Sequence, residues 1–348
     1  MAYTTINKSD EYFNTKLYTG NGSTNNITGV NFQPDMVWLK RRSSIRGHTV
    51  FDAIRGATYG IYPELTDAES VGASSLTSFD SDGFTLGADS RVNASSETHV
   101  AWNWLANGAG SSNTDGTITS TVSANTTSGF SITTYTATGT AGDTVGTGMS
   151  SGIDLYFIKR RDVAQSWPVM TSLSNMGAGK YLYLNTTDGV AGPSPAFDNQ
   201  VAPTSSGVIT LGTNATVNAS GGTYVCYAFK SIKGFSKIGS YTGNGSTDGT
   251  FVYTGFKPAW VMIKRTDAAG YSWLIHDNKR PDYNSTDKIL EADLGDLEKS
   301  NYHMDLLSNG FKHRIIAGST NASGGTYIYM AFAEFPTVSS TGTPVTAR

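Results

Sequence analysis

The chain has 348 residues, and only 15% of them are charged. Its 15 Phe, 18 Tyr and 6 Trp can fill sizeable cores, which excludes a disordered polymer. A net charge of −3 argues against a nucleic-acid-binding protein, and the single cysteine excludes an internal disulfide.

Residues 1–12 precede any repeated pattern and read as an N-terminal arm. Ser9 is the expected N-cap of a short helical turn, with Asp10 and Glu11 in its first turn. The opening Met1-Ala-Tyr-Thr-Thr-Ile has neither the charged start nor the apolar run of a signal peptide. With one cysteine, this points to folding in a reducing compartment. No window reaches the length of a membrane span, so membrane insertion is not expected.

The first repeated unit is expected over residues 13–107. It begins at Phe13 and continues into Tyr18-Thr-Gly-Asn-Gly-Ser-Thr24, which is turn chemistry. Pro34 then precedes Met36-Val-Trp-Leu-Lys-Arg-Arg42. The four apolar residues predict a strand buried on both faces, with its basic end emerging into solvent. Asp52-Ala-Ile-Arg55 predicts a hydrogen-bonded Asp–Arg pair that pins a loop. Glu64, Asp67 and Glu69 are expected in a solvated loop peculiar to this unit. Asp82-Gly83 before Phe84 is a tight-turn signal. The unit closes on Val92-Asn-Ala-Ser-Ser-Glu-Thr-His-Val-Ala-Trp-Asn-Trp104, a turn followed by a strand. Side chains alternate along a strand, so Val100, Trp102 and Trp104 share one face, with His99, Ala101 and Asn103 behind them. The bulky face is expected to be the core of the unit. The other face is expected to meet a neighbour or to be half exposed.

Residues 108–128 read as a Gly/Ser/Thr linker with a strand from Thr117 to Val122. The second unit, 129–232, repeats the order. It runs Phe130, Tyr135-Thr-Ala, Leu155-Tyr-Phe-Ile-Lys-Arg-Arg161 and Val217-Asn-Ala-Ser-Gly-Gly-Thr-Tyr-Val-Cys-Tyr-Ala-Phe229. It lacks the Asp–Arg pair, since Met170 to Leu173 stand in that place. The third unit, 233–336, follows at once through Lys233-Gly-Phe235. It repeats Tyr241-Thr-Gly-Asn-Gly-Ser-Thr247, Pro258, Trp260-Val-Met-Ile-Lys-Arg265, Asp277-Asn-Lys-Arg280, Asn309-Gly310 and Thr320-Asn-Ala-Ser-Gly-Gly-Thr-Tyr-Ile-Tyr-Met-Ala-Phe332. Tyr-to-Lys spacings are 22, 24 and 23 residues (18 to 40, 135 to 159, 241 to 264). Constant spacing over about 100 residues predicts a whole domain repeated three times. The second and third units are expected to be held rigidly together, with the first more independent. Residues 337–348 read as a polar C-terminal tail.

No residue is assigned a catalytic, cofactor-binding or metal-ligating role. The histidines 48, 99, 276, 303 and 313 form no metal-spaced pair. Asp80-Ser-Asp82-Gly83 resembles the start of a calcium loop, but its twelfth position is Arg91 where the helix-loop-helix site needs a glutamate. Cys226 lies within a strand and reads as a small hydrophobe.

The Tyr-Thr-Gly-Asn-Gly-Ser motif, the Lys-Arg strand and the Asn-Ala-Ser-Gly-Gly-Thr-Tyr strand together resemble a family of repetitive β-rich proteins in tailed bacteriophages, especially marine ones. The opening six residues resemble the start of those proteins too. The resemblance implies a virion-associated protein and carries over no catalytic residue. The second unit departs from it at Gly139 to Gly152. The expected fold is all-β, with three tandem β-sandwich units of jelly-roll or lectin-like type. The expected function is a non-enzymatic structural protein on the virion exterior, as a tail fibre, spike or head decoration, with host-surface adhesion as a further role. It would fold in host cytoplasm and then join the particle. Expected partners are other virion proteins, further copies in a homo-oligomer (a trimer) and a host surface glycan, without nucleic acid. The trimer is argued from Tyr224, Tyr327 and Tyr329, which a lone sandwich would leave half exposed, and from a leader and tail free to dock. The alternative is a carbohydrate-binding module or glycan hydrolase, which would need two carboxylates in one cleft.

Overall fold

Side-chain alternation and turn residues dictate an antiparallel protein, and the computed structural model is one. It describes residues 4–150, 152–173, 176, 179–194, 207–281, 284–336 and 341. Apart from two four-residue helices and one 3-10 turn, its regular elements are strands.

Three large sheets share one strand order. In each, a leading strand (Phe13–Thr19, Phe130–Thr136, Ser236–Thr242) pairs with a closing strand (Thr98–Trp104, Thr223–Phe229, Thr326–Pro336). The closing strand pairs on its other side with the basic-ended strand (Met36–Arg41, Leu155–Arg160, Phe256–Arg265). That strand pairs with a fourth (Thr49–Asp52, Pro168–Thr171, Leu274–Asp277), and the fourth with a fifth (Gly56–Ile61, Leu182–Tyr183, Leu290–Glu291). A small sheet covers one face of each: Asn25–Thr28 with Gly83–Leu86 and Leu76–Asp80; Thr144–Gly146 with Val208–Thr210; Phe251–Tyr253 with Gly310–His313 and Met304–Leu307. Each large and small pair makes a sandwich with its own core.

The two faces of the closing strand lie opposite to expectation. The second face, Tyr224, Cys226 and Ala228 and its counterparts, fills the sandwich cores. The bulky face points outward from its own sandwich into a fourth core that all three units share. Trp104, Phe229 and Phe332, the equivalent residues of the three closing strands, form a triangle there. Their ring centroids are 6.4, 5.7 and 6.1 Å apart. One chain therefore holds three sandwiches around a pseudo-threefold axis. The first unit is no more independent than the others. Tyr224, Tyr327 and Tyr329 are all buried inside their own units, which removes the tyrosine argument for a homotrimer.

Other expectations shift in detail. The turn at Ser9–Glu11 forms, but Lys8 holds the N-cap position and Ser9 is buried. The leader from Thr4 is packed down: Ile6 joins the shared core and Tyr12 meets Phe235 at 6.0 Å. The linker belongs to the second sheet. Ser120–Asn125 pairs with the leading strand Phe130–Thr136, and Ser111–Asn113 pairs with Ser120–Asn125 in turn. Pro258 lies within its strand, at a register shift that spares the ladder a missing donor. The C-terminal tail lies outside the described residues, Thr341 aside.

Candidate functional site

The repeated motifs meet one another within each unit. The amide of Asn93 accepts from Asn21 N at 3.0 Å and donates to Ser23 O and Gly87 O. Asn218 does the same with Gly139, Thr140 and Gly212, and Asn321 with Asn244, Ser246 and Ile315. The tyrosine of each Tyr-Thr motif donates to the carbonyl just before that asparagine: Tyr18 to Val92, Tyr135 to Val217, Tyr241 to Thr320. Asn-Ala-Ser is thus a clamp for the loop that follows the leading strand of its unit, because a buried amide offers both a donor and an acceptor to loop backbone.

The chemically richest places are the seams between units, and these also repeat. At the start of the fourth strand, His48 Nε2 donates to Glu291 O at 2.8 Å, while its Nδ1 accepts from Trp38. The equivalent Trp167 donates to Tyr62 O and Leu65 O, and Trp273 donates to Tyr183 O. The donors run from unit 1 to 3, from 2 to 1 and from 3 to 2, a head-to-tail ring that closes. Backbone bonds join the same three pairs of units with the donors running the other way: Glu298 N to Arg42 O, Glu69 N to Arg161 O, Val190 N to Thr266 O.

The lysine one residue before the end of each basic strand is fully buried, not solvated. Lys40 Nζ donates to the carbonyls of Arg41 and Gly295, Lys159 to those of Thr66 and Gln165, and Lys264 to that of Tyr271. Burial lowers the pKa of each to about 8.

Two seams are ionic. Arg55 pairs with Asp52 and Arg280 with Asp277, so the expected Asp–Arg pins form. Tyr227 donates to Asp52 from unit 2 at 2.6 Å, and Trp102 donates to Asp277 from unit 1 at 3.0 Å. Glu69 joins Arg55 to Arg161, and Glu298 joins Arg280 to Arg42. Glu69 is therefore neither solvated nor peculiar to its unit. Glu64 is also largely buried, which pushes its pKa up to about 7. The seam from unit 3 to unit 2 has Met330, Thr171, Thr266 and Val190 at these positions and carries no such pair among the described residues.

The remaining candidates are bound up locally. Asp80 accepts from Ser78 and Thr85, and Asp82 from the backbone of Gly29 and Asn31. Asp305 pairs with Arg314. His276 and His313 sit in the third sandwich, where burial depresses both pKa values. Among the described residues, no three His, Cys, Asp or Glu side chains gather as a metal set. Burial pushes the Cys226 thiol pKa up, which makes it a poor nucleophile.

A groove of about 720 Å³ runs beside the leading strand of unit 1, lined by Thr15, Lys16 and Leu17, by the leader, and by Lys279, Glu334 and Phe335 of unit 3. Exposed aromatics occur at Phe251 and Tyr253, 44% and 52% accessible, on an edge strand of the third small sheet. The equivalent positions of unit 1 hold Asn26 and Thr28.

These features define an all-β protein of three sandwich units closed into a ring by buried polar seams. The chain belongs to the family described as a domain of unknown function (DUF7483), whose model matches residues 8–336. A search of curated proteins gave no match. One family model spans all three units and all three seams, in keeping with their shared core.

Proposed function

We propose that the protein is a non-catalytic structural component of the exterior of a tailed-phage virion, as a tail fibre, spike or head decoration. The closed ring is the observation that supports this most. In the two ionic seams the buried carboxylates accept from arginine, tyrosine or tryptophan of an adjoining unit or their own. These groups serve cohesion between units, which suits a body that must persist outside a cell. The likeness of the repeat motifs to virion-associated repeats points the same way. In this reading the protein folds in host cytoplasm, and its partners are other virion proteins. Gold-labelled antibody against the purified chain should decorate the outside of purified particles. Absence of the chain from such particles would overturn the reading.

A second reading, contact with a host glycan, is favoured by Phe251 and Tyr253. Their rings are exposed where the sister unit carries polar residues, and aromatic faces stack on sugars. A glycan array should then lose its signal with Phe251→Ser and Tyr253→Ser. Release of reducing sugar by the pure protein, abolished by one Asp or Glu substitution, would replace both readings with a hydrolase.

A further inference from the structure

The three leading strands are equivalent on their inner side, where each pairs with a closing strand. Their outer edges differ. In unit 2 the outer edge is occupied by Ser120–Asn125, antiparallel and in register from Ser120 opposite Tyr135 to Asn125 opposite Phe130. In unit 3 the first part of it is closed by the turn before the strand, where Ile238 N donates to Ser231 Oγ and Ser236 exchanges bonds with Ile232.

In unit 1 no described residue occupies the outer edge. Tyr12 O accepts from Leu105 N and Gly20 N donates to Glu97 O, so the even-numbered residues of the leading strand face the closing strand. Thr15 and Leu17 therefore point their backbone N–H and C=O outward, and among the described residues neither has a backbone partner there. This edge borders the 720 Å³ groove. Thr15 is 6% exposed and its hydroxyl is unpartnered, which is costly for a buried polar group. Lys16 and Lys279 line the groove and take part in none of the ion pairs of the described residues, while its carboxylates are engaged, Asp10 by Asn31 and Glu334 by Lys257.

We propose that this edge receives an extended segment of a partner polypeptide, which adds to the first sheet as an antiparallel strand. The occupant of the same edge in unit 2 gives its chemistry: short Ser, Thr, Val and Ala side chains that pack flat on a sheet edge. Lys16 and Lys279 add a preference for a carboxylate in the segment. Strand addition of this kind draws affinity from main-chain hydrogen bonds and selectivity from alternate side chains. The proposal goes beyond the virion reading and holds wherever the protein resides.

The probe is a synthetic peptide reproducing residues 118–127, titrated into the full chain with amide exchange followed residue by residue. In the free protein the amides of Thr15 and Leu17 should exchange quickly while those of Lys16 and Tyr18 are protected. Peptide should protect Thr15 and Leu17 selectively. By analogy with unit 2, N-methylation of the peptide at the positions of Thr121 and Ser123 should weaken binding about tenfold or more, the scale of one or two lost hydrogen bonds. The same change at Val122 and Ala124 should have little effect. Leu17→Pro removes an outward N–H, along with the packing of Leu17 on the shared core, and should abolish binding, whereas Leu17→Ala, which loses the same packing and keeps the N–H, should still bind. A glutamate placed in the peptide should tighten binding, and Lys16→Glu should reverse that preference. No saturable binding, or binding that leaves Thr15 and Leu17 unprotected, would overturn the proposal. So would slow exchange at both amides in the free chain that becomes fast when the chain ends at Pro336. That result would give the edge to the protein's own residues 337–348.

Discussion

Three buried lysines show how a single residue couples the seams to pH. The folded-state pKa of Lys40, Lys159 and Lys264 is about 8, against an ordinary value of 10.5, and burial is the main cause. Between these values the unfolded chain binds more protons than the folded one, so stability rises with pH. The limiting slope is about 1.4 kcal/mol per pH unit for each lysine. The window is pH 8 to 10. Above it the unfolded tyrosines ionise, while burial raises the pKa of Tyr135 and Tyr241 in the folded state, and this reverses the trend. The thiol of Cys226, held protonated by burial, offsets about one lysine in this window, so denaturant melts at pH 8 and 9.5 should show a net increase in stability, and Lys159→Met should flatten it by roughly half. Melts that show no rise over this range would contradict the buried, acceptor-bound state of these lysines. The Asn-Ala-Ser turns were legible in the sequence because turn chemistry is local, but the clamp of Asn93 on the distant loop at Asn21 and Ser23 was not. The lysines were not. A lysine after four apolar residues reads as a strand end in water, and its carbonyl acceptors at Thr66 and Gly295 lie in other units.

At the scale of the strand and its seam, the chain contains its own control experiment. Two seams bury an Asp–Arg pair that receives a donor from the next unit, Tyr227 or Trp102. The third has Thr171 and Met330 at those places and closes as well. Removing one member of a buried pair leaves an uncompensated charge and typically costs 3–5 kcal/mol, at roughly that scale, while replacing the whole set with well-packed neutral groups is often neutral. Asp52→Thr alone should therefore destabilise by about 3–5 kcal/mol. Adding neutral partners, Arg55→Leu and Tyr227→Met, the latter after Met330, should recover most of that loss. Urea titrations of the single and triple variants would check it, and equal losses would show that the pairs are independently stabilising. The period-two pattern made the closing strands and their partition into two faces legible, but not which face meets which partner. Both faces are buried, so hydrophobicity could not rank them. The bulkier residues fill the wider space between three sheets, and the smaller ones fit the space inside one sandwich.

At the scale of the molecule, the arrangement decides what can fold alone. A sandwich taken from its neighbours would expose the face carrying Val100, Trp102 and Trp104, or its counterparts, to water. Exposure of three large side chains forfeits about 1.5–3 kcal/mol each, comparable to the whole net stability of a domain this size. It would also strand the seam groups, leaving Arg161 without Glu69 and Asp277 without Trp102. The full chain should therefore unfold in one transition, with calorimetric and van't Hoff enthalpies equal, although its length would normally suggest several. A fragment of residues 13–107 should lack near-ultraviolet signal and bind hydrophobic dye. Phe332→Ala, at the triangle on the axis, tests the same point from one residue. It lies in unit 3 but touches Trp104 and Phe229 of the other two. It should cost about 3–5 kcal/mol and lower the melting of all three units together, followed by tryptophan fluorescence in units 1 and 2. Since the shared core occupies the apolar faces within one chain, light scattering should give the mass of a single 37.0 kDa chain. Stepwise melting, in which unit 1 retains its signal after unit 3 is lost, would show that the common core is not what holds the ring closed.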